Sequence, residues 1–168
     1  MKDRLTVKIK MEPYLKAFLL SCYNQEPPIF LPKRDKLNDM LQLLLAKPPK
    51  DHKPAPPDPD QLEVVIPYFE NLNIMSYHYL SPANQQRFAR RVKQIFWVTF
   101  EDFMDECFRH DMRRNDAIYL FIEKYNLPVD SRIEDMLRKE IYRSKRIFRK
   151  YPKREYRKTK KSRNITSD

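Results

Sequence analysis

The chain has 168 residues, 41% of them hydrophobic, and a formal net charge of +11. That length suits one domain, or a small domain with an extension, and ten Phe, ten Tyr and one Trp are too many aromatics for a disordered polymer. No apolar run approaches the roughly 20 residues that span a bilayer, the opening "MKDRLTVKIKM" has no secretory apolar core, and the complete absence of glycine excludes Gly-rich phosphate loops, dinucleotide turns and nucleophile elbows in their usual form.

Leu5–Met11 alternates, with Leu5, Val7, Ile9 and Met11 on one side and Thr6, Lys8 and Lys10 on the other, which predicts a half-buried strand. Pro13 suits a first helical turn, and Tyr14, Leu15, Phe18, Leu19 and Cys22 give that helix an apolar stripe. "NQEPP" ends it, and Ile29–Leu31 is a candidate short strand. Asp35 is the expected cap of a second helix carrying Leu37, Met40, Leu41, Leu44 and Leu45. Residues 48–59 hold six prolines in twelve positions, a connector of extended or polyproline II character. Leu62–Phe69 is β-rich and is expected to return against Leu5–Met11, with Pro67 marking an edge position or an early end.

The second half of the chain reads as helical. Ser81-Pro82 is a cap followed by a first-turn proline, and one or two helices are expected over Pro82–His110. The centre of that stretch, "IFWVTF", is β-prone locally, and Thr99 with Asp102 forms a capping pair at which a second helix would restart. Asn115 is the expected cap of the next helix, and Ser131 of a final helix running to about Tyr151, ahead of Pro152. With no glycine, helices have to close on Asn or run into Pro. Cys22 and Cys107 both lie in apolar helical patterns and are expected to be reduced, buried thiols, which points to a reducing, cytoplasmic compartment.

The charge is unevenly placed. Residues 138–163 hold 14 Lys/Arg against Glu140 and Glu155, a net +12, whereas residues 1–137 carry 20 of each sign. Such asymmetry points to a polyanionic partner. With Ile133 at the origin of a helical wheel, Met136, Leu137, Ile141, Ser144, Ile147, Phe148 and Tyr151 fall within about 80° of it, an apolar stripe for docking. Arg138, Lys139, Lys145, Arg146, Arg149 and Lys150 fall between about 120° and 260°, with Arg143 on the flank and Tyr142 near the centre of the basic face. Arg forks match phosphate oxygens, Lys adds diffuse attraction, and a Tyr among them serves a base or sugar. Beyond Pro152, Lys153, Arg154, Arg157, Lys158, Lys160, Lys161 and Arg163 have no apolar stripe and are expected to form a flexible arm that follows a nucleic-acid backbone.

Asn115–Asn126, a break at Leu127–Asp130 and the final helix have the order of a helix-turn-helix, with Asn126 in the role that Gly usually takes. The leading positions Arg132, Glu134 and Asp135 depart from that pattern, because two acids there would face phosphates. His52, His78 and His110 lack a second His or Cys at ligand spacing. Glu101, Asp102, Asp105 and Glu106 could share a divalent ion at i,i+4 spacing, but such a run is more often a solvated face or paired with Arg109, Arg113 and Arg114.

The sequence therefore predicts an α+β fold with a small N-terminal two- or three-stranded sheet and a helical C-terminal half. Three parts are expected: an α+β unit over 1–70, a helical core over 71–127, and a basic helix with arm over 128–168. The expected function is non-enzymatic binding of nucleic acid, duplex DNA foremost, as a small regulator or accessory factor in transcription, replication or a mobile element. No cofactor, metal site or membrane contact is expected. The N-terminal unit is open to a homodimer or protein contact. The alternative is an interaction protein whose basic helix docks an acidic partner.

Overall fold

A computed structural model describes residues 5–53, 56 and 58–144. Among these, the order of elements is β1 (Thr6–Lys10), α1 (Pro13–Tyr23), α2 (Lys36–Leu44), β2 (Gln61–Val65), α3 (Pro82–Arg109), α4 (Arg114–Lys124) and α5 (Ser131–Arg143). The fold is α+β, with one two-stranded antiparallel sheet and five helices. The chain divides into two compact units: 1–98 with 122–128, and 99–121 with 129–168.

The first unit is built around the sheet. β1 alternates buried and exposed residues, and its register sets Val7 opposite Val64 and Ile9 opposite Leu62, all four buried. Directly opposed residues share a face, so the pairing gathers the apolar side of both strands against the helices. Tyr14, Leu15, Phe18 and Leu19 of α1, Leu37, Leu41 and Leu44 of α2, and Phe88, Val92 and Phe96 of α3 complete this core. Phe96 meets Tyr14 at 5.1 Å and Phe18 at 5.2 Å between ring centroids, both edge-on, the favoured aromatic geometry. The anticipated strand at Ile29–Leu31 is reduced to a single parallel bridge between Ile29 and Val64. Pro27 and Pro28 precede it and cannot donate to a ladder. β2 stops at Val65, two residues before Pro67.

In the second unit, Phe100, Met104, Cys107 and Phe108 of α3 are buried, as are Ala117, Ile118 and Phe121 of α4 and Leu137 and Ile141 of α5. Phe121 contacts Phe100 at 4.9 Å and Phe103 at 5.3 Å.

Helix ends follow the chemistry of a chain without glycine. Asn24, Asp111 and Asn126 are the described residues with left-handed backbones, at φ 49°, 61° and 49°. Each closes a helix by the same pair of bonds: for α1, Gln25 N–H to Leu20 C=O and Asn24 N–H to Ser21 C=O. α3 is continuous, without a restart at Thr99, because Phe88, Val92, Phe96 and Phe100 form one i,i+4 row that outweighs the β preference of "IFWVTF". Asn115 is the second residue of α4 rather than its cap, and Asp130, not Ser131, caps α5 by accepting a bond from the Arg132 N–H at 3.0 Å. α5 ends at Arg143, with Ser144 extended at ψ 100°, so the helix expected to reach Tyr151 is interrupted at Ser144. Residues 145–168 lie outside the described residues, including Ile147, Phe148 and Tyr151 of the expected stripe. Cys22 is exposed, correcting its expected burial, whereas Cys107 is buried. Cys22 shares the angular side of Leu15, Phe18 and Leu19 but lies in the last turn of α1, beyond the buried residues of that helix.

Candidate nucleic-acid interface

α5 is the described part of the basic segment. Asp130 caps its start, Glu134 sits in its first turn and Arg143 in its last, a charge order that suits the helix dipole. Leu137 and Ile141, one turn apart, anchor it. The opposite side exposes Arg132, Asp135, Lys139, Tyr142 and Arg143. Of the sequence-predicted residues, Lys139, Tyr142 and Arg143 therefore come together on one exposed side.

Arg138 behaves differently. It is half-buried and its guanidinium pairs with Glu134 Oε2 at 3.4 Å, one turn back on the same helix. Its Nε is buried without a partner. A pair of this exposure contributes about 0–1 kcal/mol, so Glu134 is a weak hold on the Arg138 guanidinium.

Tyr142 is not the bare ring that a helical wheel suggests. The Arg114 guanidinium lies 4.5 Å from its ring centroid and donates from Nη1 to its hydroxyl. A cation over a ring at an exposed position contributes about 0.5–1 kcal/mol and holds both groups in one orientation. Arg114 thus joins the site from the start of α4, 28 residues earlier. Periodicity carries no signal for a contact at that separation. Its neighbour Arg113 is exposed.

Within Ser131–Arg143 four cations stand against three acids, so α5 alone is close to neutral. The excess charge of the segment belongs to Lys145, Arg146, Arg149, Lys150, Lys153, Arg154, Arg157, Lys158, Lys160, Lys161 and Arg163, all outside the described residues.

Two of the four carboxylates of α3, Asp105 and Glu106, pair with neighbouring cations. Asp105, 3% exposed, accepts from Arg109 Nη2 at 2.6 Å, and Glu106 meets Arg109 at 3.4 Å and the His110 ring at 3.1 Å. Among the described residues, no group of three or more metal-binding side chains comes together, and no helix is long and apolar enough to cross a membrane. The chain matches no protein-family model, no curated protein and no solved structure.

Proposed function

We propose that this chain is a cytoplasmic, non-enzymatic nucleic-acid-binding protein, a small regulator or accessory factor that holds duplex DNA through its basic C-terminal segment. The observation that carries the reading is the partition of charge: net +12 over residues 138–163 beside 137 residues that sum to zero. Neutralising phosphates with such a segment releases condensed counterions, a driving force that a balanced surface lacks. The described start of the segment supports the same use. α5 is anchored by Leu137 and Ile141 and leaves Lys139, Tyr142 and Arg143 facing solvent beside Arg114. The free thiol of Cys22 at the surface suits a reducing compartment.

The mode follows from the acids. α4, the connection Tyr125–Asp130 and α5 have the order of a helix-turn-helix, and the left-handed Asn126 stands where Gly is usual. Leading α5 into a groove would bring Glu134 and Asp135 against flanking phosphates. Tracking along the backbone with little choice of base avoids that cost, with Lys139, Arg143 and the cations beyond Ser144 as phosphate contacts and Tyr142 at a sugar or base.

The test is duplex binding measured against salt. Six to eight phosphate contacts give a log–log slope of about −5 to −7. A flat slope rejects the reading, and undiminished binding after Arg146→Glu with Arg149→Glu rejects the assignment to this segment.

A further inference from the structure

We propose that the outward side of the first half of α3, carrying Arg87, Arg90 and Arg91, is a second phosphate-binding surface for nucleic acid. The ligand class rests on the function proposed above, whereas the surface is a different one, inside the first compact unit.

Phe88, Val92 and Phe96 define the buried side of this stretch. With Val92 at the origin, Arg87, Arg90 and Gln94 fall within about 40° of the opposite pole, and Arg91 lies on the flank. Arg87, Arg90 and Gln94 are exposed, Arg91 is half-buried, and its Nη1 donates to Gln94 Oε1 at 3.1 Å. No acid precedes Glu101 anywhere on the helix. Other cations of the same unit find carboxylates: Lys93 meets Glu12 at 3.3 Å and Lys10 meets Asp58 at 3.4 Å. Among the described residues no carboxylate lies within ion-pair distance of Arg87, Arg90 or Arg91.

Arg87 is spaced i,i+3 from Arg90 and i,i+4 from Arg91, so the three repel one another along the helix. An external anion removes that repulsion. All three are arginine, whose planar fork pairs bidentately with phosphate, and Gln94, about one turn beyond Arg90 and Arg91, adds a neutral hydrogen-bonding group at the end of the row. A row of guanidinium groups on one rod suits a regularly spaced backbone of phosphates. Trp97, the one tryptophan of the chain, follows Gln94 by three residues and is half-buried, with its ring 5.0 Å from Phe96. It is a built-in reporter of this surface.

The experiment uses the full chain, a labelled mixed-sequence duplex read by anisotropy across salt concentrations, and Trp97 emission. Three variants accompany the wild type: Arg87→Gln/Arg90→Gln/Arg91→Gln, the same three positions to Lys, and Arg146→Glu/Arg149→Glu. The Gln variant is expected to bind about 10- to 100-fold more weakly, with a slope shallower by 2 to 3, one unit per lost phosphate contact. The Lys variant keeps the slope and loses only a few-fold, which separates lost contacts from misfolding. Duplex is expected to change Trp97 emission in the wild type and in the Arg146/Arg149 variant but not in the Gln variant. Wild-type affinity and slope in the Gln variant overturn this inference and leave the function reading intact. Normal binding by the Arg146/Arg149 variant alone removes the C-terminal site and keeps this one, and a flat slope in the wild type overturns both. Poly-L-glutamate competing as well as duplex, charge for charge, identifies an acidic protein as the occupant and overturns the assignment to nucleic acid.

Discussion

Asn24 closes α1 at φ 49°, a backbone that costs most L-residues roughly 1–2 kcal/mol and costs Asn less. In a chain with no glycine, Asn and Asp carry every left-handed turn among the described residues. Asn24→Ala is therefore expected to lower stability by about 1 kcal/mol in urea unfolding, and Asn24→Gly to leave it within about 0.5 kcal/mol, because the relief of strain is offset by a freer unfolded chain. A silent Ala variant would mean that the two-bond closure at Leu20 and Ser21 does not form in solution. One residue earlier, the Tyr23 hydroxyl donates to Asp35 Oδ2 at 2.6 Å. Burial first, and that carboxylate second, raise the Tyr23 phenol above its ordinary range. Although Cys22 is exposed as a residue, neighbouring protein atoms partly desolvate its thiol and push it from 9.0 up to about 11, with the Lys124 ammonium opposing and Asp35 adding. Both groups hold their proton more tightly folded than unfolded. Their stabilising contribution is complete below the unfolded values and is lost as pH rises, from about 9 to about 11 for Cys22 and from about 10 upward for Tyr23. Urea midpoints are expected to be level from pH 7 to 8.5 and to fall above pH 9. Cys22→Ala should remove the early part of the fall and Tyr23→Phe should reduce the later part, which the raised Tyr14 and Tyr125 phenols share; an unchanged fall in both variants would place its cause elsewhere.

At the scale of elements, what could be read from the sequence was local. The alternation of Val7, Ile9 and Met11 marks β1, Pro13 marks the start of α1, and Asp35 marks the start of α2, where it accepts from the Leu37 N–H at 2.7 Å. Each signal is spelled within four or five residues, the range over which backbone sterics and capping act. The errors arise where tertiary packing decides. Ser131 and Asp130 are both good caps, and the choice between them depends on which turn of α5 must put Leu137 and Ile141 inward. "IFWVTF" favours strand by propensity, yet Phe96 and Phe100 each fill a core as part of a helical row. Ile29–Leu31 has the residues of a strand, but its described backbone bonds to β2 are those from Ile29 N–H to Glu63 C=O and from Val65 N–H to Ile29 C=O, while Phe30 bonds to the Gln25 side chain. The candidate site was legible to the same degree. Lys139, Tyr142 and Arg143 share a side of α5 because 100° per residue requires it, whereas the Arg114 contact with Tyr142 and the Arg138 pair with Glu134 depend on side-chain reach that a wheel does not contain.

Across the whole molecule, charge has two separable roles, and salt distinguishes them. Residues 1–137 are neutral in sum, and most of the ion pairs among the described residues have at least one well-exposed partner, as in Lys10–Asp58, Lys93–Glu12 and Arg109–Glu106. Such pairs contribute about 0–1 kcal/mol each and are partly screened already at physiological salt. The Arg109–Asp105 pair, with Asp105 at 3% exposure, is screened less and changes little with salt. Stability should then rest on the apolar cores around Phe96 and Phe121, which salt barely touches. Raising salt from 50 to 200 mM is expected to move the unfolding free energy by less than about 1 kcal/mol, while a slope of −5 to −7 weakens duplex binding by about 10³ to 10⁴ over the same interval. Urea unfolding and duplex titration in matched buffers measure both. If stability instead climbed steeply with salt, the repulsion among the cations of residues 138–163 would be acting on the fold itself. Those cations would then be packed against the protein rather than available to phosphate, and the C-terminal segment would lose its role as the binding surface.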